Sequence, residues 1–453
     1  MSTRMTRAQL ENIIKHLNAD GQEYIAIQNP NYVFAEVDLC PLAPKITSPR
    51  KDILAIVQDM DGTTTTTENL CLHSLETMVR RFSGQTTQQS WAGLDRERDY
   101  PHIIGNSTTK HVEYLIRTYE DSMNQDALRR AYLRAALHTL AHGADEGRIR
   151  EVRSNLTHFK CTPLLHDPSV SQWLRAPDPN GIPPGIDALI NDFSTKLEIH
   201  GFSDLVRAAV DVYYQRYHEI LYKIDHNETA DLQQLLPPGS RAFIEPMPGV
   251  AIFLAAAKGW LGEELNRSDD ELYAHFPTDR KKEERQEMLS SLGRYLEKSP
   301  VRVAIVTSSI AYEANIVLSE VFRTIREQVM RWPISEMRKE RILPLIEDYH
   351  KTFDVVITAS DSSEIRLKPH RDLYSLALHQ LGIARQDMDK VIGFEDSESG
   401  TIAIRAAGVG LCVAVPFSDT QGHRLDHAAH ILHGGLPEAI LKHHLFIDID
   451  RFM

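Results

Sequence analysis

Short, nearly continuous apolar runs punctuate this chain: Ile53–Val57, Val301–Val306, Phe353–Ile357, Val391–Phe394 and Leu411–Val415. Such runs are expected of strands buried on both faces of a parallel sheet. Between the later ones, apolar residues recur at three- and four-residue spacing, over Asp372–Leu381 and Thr401–Ala407. The β-α-β-α alternation predicts an α/β fold, a doubly wound parallel sheet with helices on both faces. Ala429–Leu432 reads as a terminal strand.

A long helical pattern separates the first of these strands from the second. Leu72–Phe82, Thr109–Tyr119, Gln125–Ala141, Ile186–Ile199 and Leu205–Ile224 all carry helical apolar spacing, around a proline-rich stretch from Cys161 to Pro184 that reads as loop. Residues 66–239 are therefore expected to form a large inserted helical cap. The α/β core would comprise 51–65 and 240–453, with helical inserts near 262–298 and 320–350. Residues 1–50 read as an N-terminal extension: an amphipathic helix, a possible strand around Tyr24–Ile27, then loop broken by Pro41, Pro44 and Pro49. Inserted directly after the first strand, the cap is expected to act as a lid over that strand's end.

Composition narrows the picture. A chain of 453 residues has ample length for a sizeable core, and 42% hydrophobic with 25% charged residues is ordinary for a globular protein. The formal charge of −13 argues against a nucleic-acid scaffold. An acidic protein that binds a phosphorylated anion needs cations placed locally, which directs attention to a metal site and a lone lysine. Cys40, Cys71, Cys161 and Cys412 lack CxxC spacing, so structural zinc and a disulfide framework are not expected and a reducing cytoplasm is. No apolar run reaches membrane-spanning length, since Val250–Ala257 is stopped by Lys258, and the amino terminus lacks the continuous apolar core of a signal peptide. The charged run Arg280–Glu287 reads as a solvated helix face, and His423, His427, His430 and His433 as polar surface.

The chemistry-bearing residues fall at the strand ends. The first strand stops in Asp59-Met60-Asp61-Gly62-Thr63, the second in Thr307-Ser308-Ser309 and the fourth in Glu395-Asp396-Ser397, while Lys368 lies in the loop after the third. Open α/β sheets place their ligands outside the carboxyl ends of the strands. Each group alone is a short motif; their order along the chain joins them into one constellation.

In these residues the chain resembles the haloacid dehalogenase (HAD) superfamily, in the branch of phosphoglycolate phosphatase and β-phosphoglucomutase. Asp59 to Thr63 matches the family's Asp-x-Asp-Gly-Thr, and Val301 to Thr307 its second motif. Lys368-Pro369-His370-Arg371-Asp372-Leu373-Tyr374 matches Lys-Pro-x-x-Asp-x-Tyr, and Gly393 to Gly400 matches Gly-x-Glu-Asp-Ser-x-x-Gly. Gly105-Asn106-Ser107-Thr108 is similar to the substrate-facing loop of the family's cap.

The resemblance implies a Mg²⁺-dependent phosphatase acting on a small phosphorylated metabolite, with neither nucleic acid nor membrane as partner. Asp59 would be the nucleophile and Asp61 the acid and base. Thr307, Ser308 and Lys368, with the turn at Gly62 and Thr63, would hold the phosphate. Asp59, the main-chain carbonyl of Met60, Glu395 and Asp396 would surround the metal. A phosphomutase is the alternative within the family, and a phosphate-binding protein without turnover the alternative outside enzymes. Two features favour the phosphatase: where β-phosphoglucomutase-like sequences carry a His and an Arg, this chain has Cys71 and Thr108.

Overall fold

The computed structural model describes residues 6, 8, 11–12, 15, 23–29, 33, 35–85, 87, 90–104, 107–177, 181–236, 240, 242–362, 366–417, 420 and 423–449. The amino-terminal helix expected over residues 1–17 lies largely outside them. The chain folds into two compact units. One comprises Met1–Thr65, Pro246–Ala311 and Val321–Met453; the other comprises Thr66–Glu245 and Tyr312–Glu320.

The first unit is built on a six-stranded sheet. A hairpin of β1 (Glu23–Gln28) and β2 (Val37–Leu42) precedes it. The sheet itself uses β3 (Ala55–Gln58), β4 (Arg302–Val306), β5 (Val355–Ile357), β6 (Val391–Glu395), β7 (Leu411–Ala414) and β8 (His430–Ile431). Its order is β5-β4-β3-β6-β7-β8, and every pairing is parallel. Counted within the sheet this is the doubly wound order 3-2-1-4-5-6, whose switch point lies between its first and fourth strands, β3 and β6. The fold class is therefore the one that the apolar runs predict. Helices Asp372–Gln380 and Glu398–Ala406 cover one face, where Val57, Val306, Tyr374, Leu378 and Ile404 close a shared core. Helix Val250–Ala257 is buried along its whole length, and its Phe253 meets Phe394 of β6 edge-on at 5.2 Å.

Helices are the regular secondary structure of the second unit among its described residues. Its framework is Glu68–Ser83, Thr108–Thr118, Gln125–His142, Glu146–His158, Pro184–Lys196 and Gly201–Asp225, closed by Leu75, Met78, Tyr132, Val212 and Ile220. The first half of helix Ala311–Arg331 belongs with it, and His218 there meets Glu313 at 2.8 Å.

Three expectations need correction. The loop read after Ile27 contains a second strand, β2, despite Pro41, because a two-stranded ribbon offers an edge that tolerates proline. The proline-rich stretch from Cys161 to Pro184 holds two short helices, Thr162–His166 and Pro168–Arg175, in which the prolines occupy first-turn positions where no N–H is needed. Within the charged run, Arg285 is buried instead of solvated: its guanidinium grips Asp269 at 2.7 and 2.9 Å.

The hairpin packs Leu42 and Ile25 against Ile402 and Ala406, and one buried side chain adds polar bonds beside that contact. Arg405, 1% exposed, donates from Nε and Nη2 to the carbonyl of Ala43 (2.9 and 2.6 Å) and from Nη1 to that of His427 (3.1 Å), and it pairs with Glu23. Replacing it removes the donors of these half-buried carbonyls and opens a cavity where the side chain was. We expect Arg405→Ala to lower the unfolding free energy by about 3 kcal/mol in urea titrations. A loss under about 1 kcal/mol would show that the hairpin is held by something else.

Candidate active site at the carboxyl ends of the strands

The threonine run shapes the loop that leaves β3. Thr64 Oγ1 donates to the Asp59 carbonyl at 2.5 Å and accepts from Gln58 Nε2 at 2.8 Å. Thr65 Oγ1 and the N–H groups of Thr64 and Thr65 all donate to the Met60 carbonyl, at 3.2, 2.9 and 2.9 Å. Thr63 Oγ1 reaches Asp396 Oδ1 at 3.2 Å. Small hydroxyl side chains thus saturate the carbonyls of a tight turn. Gly62 holds a left-handed φ of +78°, and a Cβ there would lie 2.6 Å from Asp396 Oδ2 and 2.8 Å from the Phe417 ring. Only glycine allows that approach.

The Met60 carbonyl, expected among the metal ligands, thus already accepts three protein donors. The carboxylates are placed differently. Asp59, Glu395 and Asp396 are all buried and offer oxygens within 4.8 Å of one another, a cluster suited to a divalent ion. The opposing charge comes from Lys368, whose side chain is 7% exposed. Its ammonium donates to Asp59 Oδ1, to Glu395 Oε1 at 2.7 Å and to the Val306 carbonyl at 2.9 Å, using all three hydrogens.

Glu395 is committed to that lysine and to its own loop. Oε1 also accepts from Tyr374 Oη at 2.9 Å, and Oε2 accepts from Ser397 Oγ at 2.9 Å and from the Ser397 N–H at 3.3 Å. A Cβ on Gly400 would fall 1.8 Å from this carboxyl, so the helix that starts at Glu398 needs glycine there. The donor set fits a hard oxygen-binding cation such as Mg²⁺: Asp59 and Asp396 could hold it, while Glu395 is bonded to protein donors.

Asp61 is partly open and receives Thr307 Oγ1 at 3.2 Å and Ser309 Oγ at 3.0 Å on the same oxygen, Oδ2. Ser309 also donates its N–H to Thr307 Oγ1 at 2.9 Å. The expected contributors from β4 are therefore joined to Asp61, and Ser308 lies between them, half-buried. Tyr374, Ser397 and Ser309 were not singled out by sequence reasoning, although each stands inside or beside a motif that was. Of the expected cap residues, Gly105 and Asn106 lie outside the described residues. Ser107 and Thr108 open helix Thr108–Thr118 in the helical unit. Beside Gly62 and Thr63, a cleft of about 200 Å³ runs between Met247, Pro248, Phe417 and Leu436.

Several proteins of known structure are similar to this chain at low sequence identity. CbbY from Rhodobacter sphaeroides, solved in complex with phosphate, is 15% identical, with 85% of this chain and 96% of that one covered at a TM-score of 0.39. A HAD-superfamily hydrolase of subfamily IA from Geobacter sulfurreducens is 14% identical, covering 87% and 98% at 0.30. A hydrolase from Pseudomonas syringae is 12% identical, covering 85% and 95% at 0.34. No protein-family model matches the chain, and no curated protein does.

Burial raises the Asp59 carboxyl well above its ordinary 3.8, and the nearby Glu395 adds to this against the opposing pull of Lys368. A carboxyl raised by folding binds its proton more tightly in the native state, so ionising it costs stability as pH climbs past the unfolded value. In the cation-free protein we expect Asp59→Asn to be more stable than wild type at neutral pH. The difference should vanish near and below pH 3.8, where both chains carry a neutral group at this position. Chemical denaturation across that range measures it; a variant less stable than wild type at neutral pH would contradict the charge imbalance.

Proposed function

We propose that this protein is a Mg²⁺-dependent phosphatase that hydrolyses a small phosphorylated metabolite through an aspartyl-phosphate on Asp59. The observation that supports the reading best is the buried cluster at the β3/β6 switch point. Asp59, Glu395 and Asp396 meet there with Lys368 as their cationic neighbour. Such a cluster is short of positive charge, and a bound divalent cation would offset the shortage.

Each residue's task follows from its neighbours. The carboxylate of Asp59 is steered by Lys368, which leaves Oδ2 to face an incoming phosphorus. Glu395, held by Tyr374 and Ser397, keeps the lysine in place. Asp61, oriented by Thr307 and Ser309, is the group able to give a proton to the leaving oxygen and later take one from water. Mg²⁺, held by Asp59 and Asp396, would act as a Lewis acid that offsets the repulsion between carboxylate and phosphate. None of the cysteines at 40, 71, 161 and 412 is in a disulfide. No helix among the described residues is long and apolar enough to cross a membrane.

The test is a Mg²⁺-dependent assay over aryl phosphate, sugar phosphates, nucleotides and phosphoglycolate. Asp59→Asn should fold and lose turnover by a factor of about 10³ or more. ³¹P NMR should show inorganic phosphate rising in step with substrate loss, without a bisphosphate activator. Isomerised sugar phosphate with little free phosphate would make the protein a mutase, and no turnover on any substrate would leave a binding protein.

A further inference from the structure

The inner faces of a helical bundle are normally apolar. In the helical unit, three helices that pack together turn polar rows toward one another instead. Helix Glu68–Ser83 presents His73, Thr77 and Arg81; helix Gln125–His142 presents His138 and His142; helix Gly201–Asp225 presents Gln215, Arg216, Glu219 and Lys223. The rows are linked across the helices. Arg216 Nη2 stands 3.5 Å from His73 Nε2, which also meets Thr77 Oγ1 at 3.4 Å. Arg216 Nη1 pairs with Glu219 at 3.2 Å, Gln215 Nε2 donates to Glu219 at 3.0 Å, and Arg81 donates to Gln215 Oε1.

Charge does not balance at this junction. Glu219 is shared by Arg216, Lys223 and Gln215, and Lys223 is also paired with Asp231 at 2.6 Å, which leaves Arg81 as the cation in excess. Arg81 is held by the neutral Gln215 oxygen, and the adjacent Arg80 by the carbonyls of Thr87 and Trp91 at 3.0 and 2.8 Å. No carboxylate among the described residues forms an ion pair with Arg80 or Arg81. The electrostatic neighbours of His73 are Arg216, Arg80 and Arg81, with no acid among them, and with burial as the larger cause they depress its pKa to about 4. A positive surplus half-buried inside a chain of net charge −13 is costly unless an anion completes it.

We propose that this junction is a binding site for a small oxyanion, a carboxylate or phosphate group, gripped by Arg81 and Arg216 and hydrogen-bonded by His73; the Thr77 hydroxyl, which donates to the His73 carbonyl at 2.9 Å, holds that helix turn in place. Guanidinium pairs suit such groups because each presents two N–H donors to two oxygens. All of these residues belong to the helical unit, and the proposal does not depend on the activity proposed for the carboxylate cluster.

The imidazole of His73 is a local reporter. The full chain, labelled with ¹³C-histidine and freed of divalent cation, is titrated with malonate and, separately, with inorganic phosphate; His73→Gln assigns the resonance. The expected result is a saturable shift of the His73 signal with at least one probe and a rise in its apparent pKa, because an anion offsets the arginines. Response to malonate alone marks a carboxylate site, and response to phosphate alone a phosphate site. Arg81→Gln and Arg216→Gln should each weaken binding about tenfold or more. A His73 resonance indifferent to both probes at millimolar concentrations overturns the proposal, whether or not the arginine variants fold. Binding that survives both substitutions overturns it as well.

Discussion

The contact on which the candidate site depends is the ammonium of Lys368 set between Asp59 and Glu395. Three buried carboxylates, with that of Asp396, cannot share so small a volume without compensating positive charge. One lysine supplies part of it and leaves a deficit. That deficit is what makes the site suited to a hard divalent cation, and it would also make Asp59 costly to keep ionised in the cation's absence. Stability and chemistry pull in opposite directions at this residue, which is common where a site is built for a ligand that is not always bound.

The sheet is what brings these groups together. Asp59 leaves β3 and Glu395 ends β6, and these strands are neighbours only because the winding reverses between them. Val306 at the end of β4 contributes a carbonyl to the same lysine, and Thr307 follows it to Asp61. Residues separated by hundreds of positions thus converge because parallel strands carry their carboxyl ends to one edge. Tyr374 and Ser397 then fix the Glu395 carboxyl from below and beside it, so that the lysine is oriented by a partner that cannot turn.

Much of this was legible in the sequence, for physical reasons. Strands buried on both faces must be apolar throughout, so β3, β4, β6 and β7 stand out as runs, and the polar residue that ends each run is conspicuous. What the pattern hides is bonding inside a turn. Nothing in Asp-Met-Asp-Gly-Thr says that the Met60 carbonyl accepts from both Thr64 and Thr65. The β2 strand was masked by Pro41 and by the half-exposed alternation that a two-stranded ribbon allows. Arg285 looked like one more solvated charge because its partner Asp269 lies outside the charged run. The polar junction of the helical unit escaped for a related reason: periodicity finds apolar stripes, whereas His73, Arg81 and Arg216 lie on the stripe's polar interruptions.

The central claim is that Asp59 attacks phosphorus and that Asp61 serves both halves of the reaction. It is tested most directly by trapping the covalent state. With an aryl phosphate, whose leaving group needs little protonation, an Asp61→Asn variant should form the aspartyl-phosphate but fail to activate water against it. Intact-mass measurement after mixing with Mg²⁺ and substrate should then show one added phosphoryl group, and peptide mapping should locate it on Asp59. An adduct on any other residue, or none while phosphate is still released, would contradict the account.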